Sequence, residues 1–385
     1  MTFPIKTSPK IRTYSSAMVW QMETQLYTSF TTTLNFYEVD VFSIDFNPGQ
    51  IDEANFAIGG FLSFQTADMP DPKVFLIEAK TFTRSPVGKS VDNVNVTGRG
   101  VKAVLDFRRH ISLFNTGTGY DTQTSVTYEA AMRNFLSHEI ITPSDANRTM
   151  TGITFYEANM SRGGTVDAIQ KRTESVLDTI VEMSKVSTLG VELVWSGAGR
   201  NFTVKFVEGT DRSTVGDPTC VTLSEGIRNV KGFTYSEDST QQKNVAYVGG
   251  TGDAAARNLE KVLSGAEATG WDRREAWVDA SNCTTDDQLI QEGETALVEA
   301  SVIEDATFTY NPVSPSTTFG VDFNLGDIVN VVFPTVATLT ARIISVTWTF
   351  NASGTQLEMV AGKKRPDFVR ILKSQFRNVS SGGKH

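Results

Sequence analysis

The stretch Ile343-Ile344-Ser345-Val346-Thr347-Trp348-Thr349-Phe350-Asn351-Ala352-Ser353-Gly354-Thr355-Gln356-Leu357-Glu358-Met359-Val360-Ala361 alternates large apolar and polar side chains over most of its length. Successive side chains of a strand point to opposite faces, so Ile344, Val346, Trp348 and Phe350 share one face and Ile343, Ser345, Thr347 and Thr349 the other. Residues 351–354 carry the turn chemistry that reverses the chain, and 355–361 return as a second strand. The segment reads as a hairpin with one strongly apolar face.

The same period of two recurs elsewhere. Phe202, Val204 and Phe206 alternate with Asn201, Thr203 and Lys205, and strand-like runs fall at 34–46, 56–64, 74–84, 91–97, 243–248, 276–280 and 328–333. Helices are fewer. Thr285 and Gln288 form a capping box, in which hydroxyl and amide satisfy backbone donors reciprocally. Behind it Leu289, Gly293, Ala296, Leu297 and Ala300 keep helical spacing, predicting a helix from 286 to about 302. Leu177, Ile180, Val181 and Ser184 predict another over 174–189, and 101–109 and 128–139 are weaker helical segments. Strands at both ends with helices between and beside them predict an α+β, mainly β chain with barrel-like sheets. Segments rich in Gly, Thr and Pro at 116–124 and 209–218 mark soft boundaries.

Composition bounds the function. The 385 residues are 39% hydrophobic and 21% charged, ordinary for a globular chain long enough for two or three domains. No apolar run reaches the length of a membrane span, and residues 1–10 have no apolar stretch of the signal-peptide kind. The Asn-x-Thr triplets at Asn95 and Asn201 are then chance matches. A net charge of −9 argues against specific nucleic-acid binding, which neutralises phosphates with Lys and Arg. The last segment is the exception, with Lys363, Lys364, Arg365, Arg370, Lys373, Arg377 and Lys384 against Asp367 alone. It reads as a solvated terminus or as a docking tail for an acidic partner.

Signals for catalysis are few. Gly88-Lys89-Ser90 has Thr83 where a phosphate-binding loop needs its first glycine, so an ordinary turn accounts for it. Gly250-x-Gly252-x-x-Ala255, with Asp272 about twenty residues on, fits a relaxed dinucleotide fingerprint, but its surroundings are not a train of βαβ units. A glycine-bearing surface loop explains it better. Glu275 and Asp279 could be cast as a glycosidase pair, yet they alternate with Ala276 and Val278 as a solvated strand face. His110, His138 and His385 lack metal-motif spacing, and Cys220 and Cys283 stand apart, as reduced thiols usually do. No catalytic, cofactor or metal residue is assigned, and the expectation is a protein that is not an enzyme.

Three stretches in order resemble one family, the siphophage minor tail proteins that act as tail-tip or baseplate hubs, similar to the N-terminal hub part of tail-associated lysins. The first is Val94-Asn95-Val96-Thr97-Gly98-Arg99-Gly100 running to Val104-Leu105-Asp106-Phe107-Arg108-Arg109. The second is Gly270-Trp271-Asp272-Arg273-Arg274-Glu275, then Val278-Asp279-Ala280 and the helix that ends near Glu299. The third is Phe319-Gly320-Val321-Asp322-Phe323-Asn324-Leu325-Gly326-Asp327-Ile328-Val329, followed by Arg342-Ile343 and the terminal hairpin. The motif residues so marked, all structural, are Gly98, Arg99, Gly100, Arg108, Arg109, Trp271, Glu275, Asp279, Gly326 and Asp327.

The resemblance implies a first β-barrel domain at 1–115, an intermediate α/β domain at 116–209, a second barrel with one long helix at 210–365 and a basic tail at 366–385. It implies a homotrimer in which two barrels per copy alternate around a pseudo-six-fold ring closing the distal end of the tail tube. The expected partners are a distal tail protein, a tape-measure protein and receptor-binding proteins, and the expected location is the virion tail tip, assembled in the host cytoplasm. The end near residue 385, without an added peptidase module, suits a structural role. The alternatives are a receptor- or carbohydrate-binding tail protein, with Trp271 and Trp277 stacking on sugars, and a cell-wall hydrolase. Core or interface packing is the plainer expectation for those tryptophans.

Overall fold

The computed structural model describes residues 9–66, 69, 71–84, 93–111, 119–311, 316–333 and 338–362. The Gly88-Lys89-Ser90 turn and the basic tail lie outside the described residues. The chain begins with β1 (Ile11–Tyr14), β2 (Trp20–Thr24), β3 (Ser29–Asn35) and β4 (Val41–Phe46). There follow β5 (Phe61–Phe64), β6 (Lys73–Thr83) and β7 (Asn93–Gly100), then a 3-10 helix at Val101–Phe107. A mixed segment holds β8 (Asp121–Thr127), α1 (Tyr128–Leu136), β9 (Ile153–Phe155), β10 (Thr165–Lys171), α2 (Val176–Ser187), β11 (Gly190–Trp195) and β12 (Phe202–Val207). After it come β13 (Thr222–Ser224), β14 (Val230–Asp238), β15 (Val245–Gly249), β16 (Leu259–Leu263), β17 (Glu275–Asp279) and α3 (Asp286–Glu299). The last strands are β18 (Ile303–Tyr310), β19 (Ile328–Val332), β20 (Thr338–Asn351) and β21 (Gly354–Gly362). The chain is mainly β, as its patterning predicts.

The two ends share one 13-stranded sheet, ordered β14-β18-β21-β20-β3-β4-β7-β6-β5-β1-β2, with β19 joining β20 to β13. Its long-range joint is β20 against β3, antiparallel from Ser345 opposite Asn35 to Asn351 opposite Ser29. Among the described residues the path stays open from β14 to β2, and no closed barrel forms. One core covers both halves: Phe30, Leu34, Ile44, Phe64 and Val96 from the first strands join Val346, Trp348, Phe350 and Met359 from the last. Phe30 stacks on Phe350 at 6.0 Å and Phe350 on Trp348 at 5.8 Å, across the joint and along β20. Each such side chain taken from water contributes about 1.5–3 kcal/mol.

Two details depart from simple alternation. The hairpin forms with its turn at 351–354, but a bulge between Ile343 and Ser345 shifts the register. Ile343, expected on the polar face, therefore joins the core with Val346 and Trp348. The 34–46 run splits into β3 and β4. The Asn35 amide N–H donates to Asp40 Oδ1 at 2.7 Å and Asn35 Nδ2 to the Val39 carbonyl at 2.9 Å, so side-chain bonds replace the ladder across 36–40.

The mixed segment packs on the back of the first strands. Val74-Phe75-Leu76-Ile77 in β6 is apolar at every position because both faces are covered. Phe75 and Ile77 belong to the sheet core, whereas Val74 and Leu76 belong to the core of the mixed segment with Tyr128, Phe135, Ile180 and Phe206. The Thr285–Gln288 capping box forms, and α3 ends at Glu299, short of 302, because β18 starts at Ile303. It lies on β15, β16 and β17 through Leu289 and Leu297. Gly293 permits that approach, since a Cβ there would stand 2.5 Å from Val262. The same helix reaches the mixed segment: Gln288 Nε2 donates to Gln170 Oε1 at 3.0 Å and Gln291 Nε2 to the Tyr128 hydroxyl at 2.9 Å. No helix among the described residues is long and apolar enough to cross a membrane.

Candidate functional site

Gly98-Arg99-Gly100 closes β7 where crowding leaves no room for a side chain at either glycine. A Cβ on Gly98 would lie 1.9 Å from the Leu76 carbonyl oxygen and 2.8 Å from the Phe42 ring. Gly100 donates its N–H to the Asp40 carbonyl at 2.7 Å, and a Cβ there would strike the Asp40 side chain. Between them Arg99 holds Glu78 with two bonds of 2.7 and 2.8 Å and reaches Asp106 at 3.5 Å. Asp106 in turn accepts from the hydroxyl of Ser175, the N-cap of α2, at 2.8 Å. The motif thus ties the sheet to the first turn of a helix in the mixed segment.

The paired arginines extend that tie. The Arg108 carbonyl accepts from Val176 N–H at 3.1 Å, and Arg108 Nε donates to the Arg148 carbonyl at 2.9 Å. The Arg109 carbonyl accepts from Arg148 Nη2 at 2.6 Å, and the same guanidinium holds Glu139 at 2.7 Å. His110 follows, fully buried, its ring edge-on to Phe135 at 5.1 Å. Its Nε2 meets Thr179 Oγ1 at 3.1 Å, and burial pushes its pKa down to about 4, so the ring is neutral. Asp121 and Glu139 approach it, and one donor atom from each of the three lies within 4.8 Å of the others. Among the described residues this is the one group of metal-ligating side chains so arranged.

Gly326 and Asp327 form a second knot. Gly326, at φ +95°, packs on Phe36 so closely that a Cβ would lie 2.2 Å from its ring, and a Cβ on Gly190 of β11 would lie 2.6 Å from the same ring. The Arg342 guanidinium lies 5.2 Å over that ring and donates to the Gly326 carbonyl. Buried Asp327 accepts from Thr210 N–H and Arg212 Nε, both at 2.7 Å, and from Asn324 N–H at 2.9 Å. It pins the point where the chain leaves the mixed segment.

The two knots meet under the 36–40 turn, which offers Asp40 to Gly100 and Phe36 to Gly326. A cavity of about 40 Å³ lies there, lined by Asp40, Lys73, Lys102, Glu192 and Leu325 among others. Lys102 Nζ donates to the Tyr37 carbonyl at 3.0 Å, and Lys73 pairs with Glu192 at 3.4 Å. Burial raises the Asp40 pKa and lowers that of Lys102. These charged groups are all engaged with one another or with backbone, an arrangement that holds four chain segments together.

Trp271, Glu275 and Asp279 stand apart from both knots. β17 shows an exposed face on which Trp277 is 57% accessible, and Trp271, in a 3-10 turn, is fully exposed. Neither tryptophan is core, so of the plainer expectations only interface packing stays open. Glu275 is paired with Arg273 at 2.5 Å and Asp279 with Arg257, whose guanidinium also lies 5.3 Å over Trp277. The glycines at 250 and 252 lead into a three-residue 3-10 turn rather than a helix that could hold a pyrophosphate. Cys283 is buried, its thiol pushed up to about 11, and Cys220 is half-buried; both are free.

Residues that spacing in the sequence did not reveal include Phe36, Asp40, Asp121, Glu139 and Arg148. Their contacts follow neither strand nor helix spacing, from Gln123 on Asp121 two residues away to Gly326 on Phe36 almost three hundred away, so no periodic pattern marks them.

Residues 74–363 match the family described as Siphovirus ReqiPepy6 Gp37-like protein. No curated protein sequence matches the chain. Among solved structures, the 43 kDa tail protein of prophage MuSo2 from Shewanella oneidensis superposes with a TM-score of 0.55 at 12% identity, covering 93% of this chain and 99% of that one. The tail protein from Neisseria meningitidis MC58 gives 0.54 at 12% identity, covering 93% and 97%. Prophage tail protein gp18 from Listeria monocytogenes EGD-e gives 0.51 at 12%, covering 96% and 99%. At such identity the likeness is one of fold. That fold spans nearly the whole of each chain, and over three quarters of its own length the chain belongs to the Siphovirus ReqiPepy6 Gp37-like family.

Proposed function

We propose that the chain is a non-enzymatic structural subunit of a phage tail, placed at the tail tip as a hub. The observation that carries this reading is the β3–β20 joint, which joins two β-rich ends of one chain into a single sheet whose main path ends at β2 and β14. In the assembly two sheet-built modules, at 1–115 and 210–365, alternate around a three-fold axis, so three copies present six similar units to a six-fold tail tube. Head-to-tail contacts of this kind close into a ring when the rotation fits. The mixed segment at 116–209 stands beside the ring, and the basic tail at 366–385 supplies a docking end.

In this reading the ring contacts a distal tail protein above and a tape-measure protein within, carries receptor-binding proteins, and opens to release DNA. A negative channel wall, in keeping with the net charge of −9, keeps DNA from adhering. Mass measurement in solution with imaging of particles tests it: a three-fold annulus is expected, and labelling of whole virions that places the chain on the capsid overturns it. A second reading is favoured by Trp271 and Trp277, whose exposed rings suit stacking on sugars. Glycan-array binding by the isolated chain, abolished by Trp271→Ala, would select that reading.

A further inference from the structure

We propose that His110, Asp121 and Glu139 form a binding site for one divalent first-row transition ion, with Zn²⁺ as the natural probe. This inference is independent of the tail reading. The geometry starts with His110, whose side chain has no solvent exposure. Its Nε2 is engaged by Thr179, and its Nδ1 is buried with no hydrogen-bond partner among the described residues. The nearest acidic oxygen, Glu139 Oε1, is 3.8 Å away, beyond hydrogen-bond range. With the proton on Nε2, the tautomer in which Thr179 accepts, Nδ1 keeps a lone pair on the side of Glu139, an arrangement that a cation relieves.

The spacing suits coordination. Bonds of about 2.1 Å set two donors of a tetrahedral ion about 3.4 Å apart, so the 3.8 Å His110–Glu139 gap closes by about half an ångström. Donors up to 4.8 Å apart close by more, and Glu139 Oε1 keeps the Ile111 N–H on its other lone pair. Every ligand already has an outer partner that fixes its orientation, as metal ligands commonly do. Thr179 holds His110, Arg148 holds the second oxygen of Glu139 at 2.7 Å, and His138 Nδ1 and Gln123 Nε2 hold Asp121 at 2.7 and 3.0 Å. Asp121, Glu139 and Glu174 surround the imidazole with Arg148 and Lys171, and His138 stands on Asp121, so the carboxylates outnumber the permanently charged cations. A mixed imidazole and carboxylate set suits Zn²⁺ or Mn²⁺ better than Mg²⁺.

The backbone gives an independent sign. Glu139 and His138 sit in a π-helical turn at Ser137–Ile141 that continues α1, and such turns are rare and concentrate at functional positions. The three ligands come from the segment leaving the sheet, the first residue of β8 and that π turn. An ion there would fasten the mixed segment to the sheet beside the Arg108-Arg109 tie.

The full chain, stripped with chelator and titrated with Zn²⁺, should take up one equivalent and gain thermal stability. Asp121→Asn and His110→Gln should each weaken uptake more than tenfold, and the outer-partner variant Thr179→Val about tenfold. Uptake that is absent, or that is unchanged by both ligand variants because the ion sits adventitiously at His385, overturns the proposal. If the variants do not fold, X-ray absorption of the Zn²⁺-loaded natural chain decides: one imidazole with carboxylate oxygens is expected, and a shell without imidazole overturns it.

Discussion

The ring of Phe36 rests directly on the Cα of Gly326, with φ +95° at the glycine and space for no further atom. Gly326→Ala would add both a left-handed strain and an overlap at 2.2 Å. Together these cost about 2–4 kcal/mol, read as a lower urea midpoint at unchanged slope. The double variant with Phe36→Leu should lose less than the two single losses added together, because the smaller side chain makes room.

Asp327 accepts three hydrogen bonds from two separate segments and is nearly sealed from solvent. Asp327→Asn leaves Arg212 without its counter-charge and turns an acceptor into a donor toward backbone N–H groups. A loss of about 2–4 kcal/mol in chemical denaturation is expected. Limited proteolysis should then cut first near 209–218, the stretch this carboxylate fastens.

Within Gly98-Arg99-Gly100 the glycine should matter more than the arginine. The Arg99–Glu78 pair is about one-third exposed, so Arg99→Ala should cost only about 0.5–1 kcal/mol. Gly98→Ala forces a carbon within 1.9 Å of a carbonyl oxygen, which only backbone movement can relieve. Its loss should exceed that of Arg99→Ala by more than about 2 kcal/mol. Equal losses in the two variants would contradict the crowding described for β7.

These three motifs show what was legible in the sequence. The terminal hairpin and the capping box of α3 were readable because their partners are neighbours in the chain. The bulge at Ile344 was not, since nothing in an alternating run announces one extra residue. The pairing of β3 with β20 joins positions more than three hundred residues apart and leaves no periodic trace. The same holds for His110, Asp121 and Glu139, whose spacing follows no ligand motif and whose encounter depends on a π turn. The motif glycines were visible as a resemblance, but the reason for them, a neighbour's ring or carbonyl, exists only in the folded chain.

Acid should act on Glu129. Burial alone would raise its pKa, but bonds from Arg162, from the Met160 and Arg162 amides and from Arg133 outweigh that and lower it to about 2. A carboxylate depressed in the folded state gives stability that is complete above about pH 4.5 and lost as pH falls toward 2. The amount is on the order of 3 kcal/mol. Glu129→Gln should flatten the stability profile between pH 4.5 and 2 while lowering the plateau above it. A parallel profile in the variant would assign the acid sensitivity elsewhere.

Two tryptophans offer opposite outcomes from the same substitution. Trp348 is fully buried on β20, stacked on Phe350 and close to Phe319 at 6.3 Å, in the core that spans both ends of the chain. Trp348→Ala should cost about 3–5 kcal/mol and, by loosening the β3–β20 joint, abolish the proposed ring assembly together with stability. Trp271 touches solvent on all sides, so Trp271→Ala should leave the unfolding midpoint within about 0.5 kcal/mol of the natural chain. If particle mass falls in that variant while its stability holds, Trp271 belongs to a contact between copies. If particle mass holds and virion incorporation falls, Trp271 belongs to a contact with another tail protein. A Trp271→Ala chain that unfolds early would contradict the exposure on which both outcomes depend.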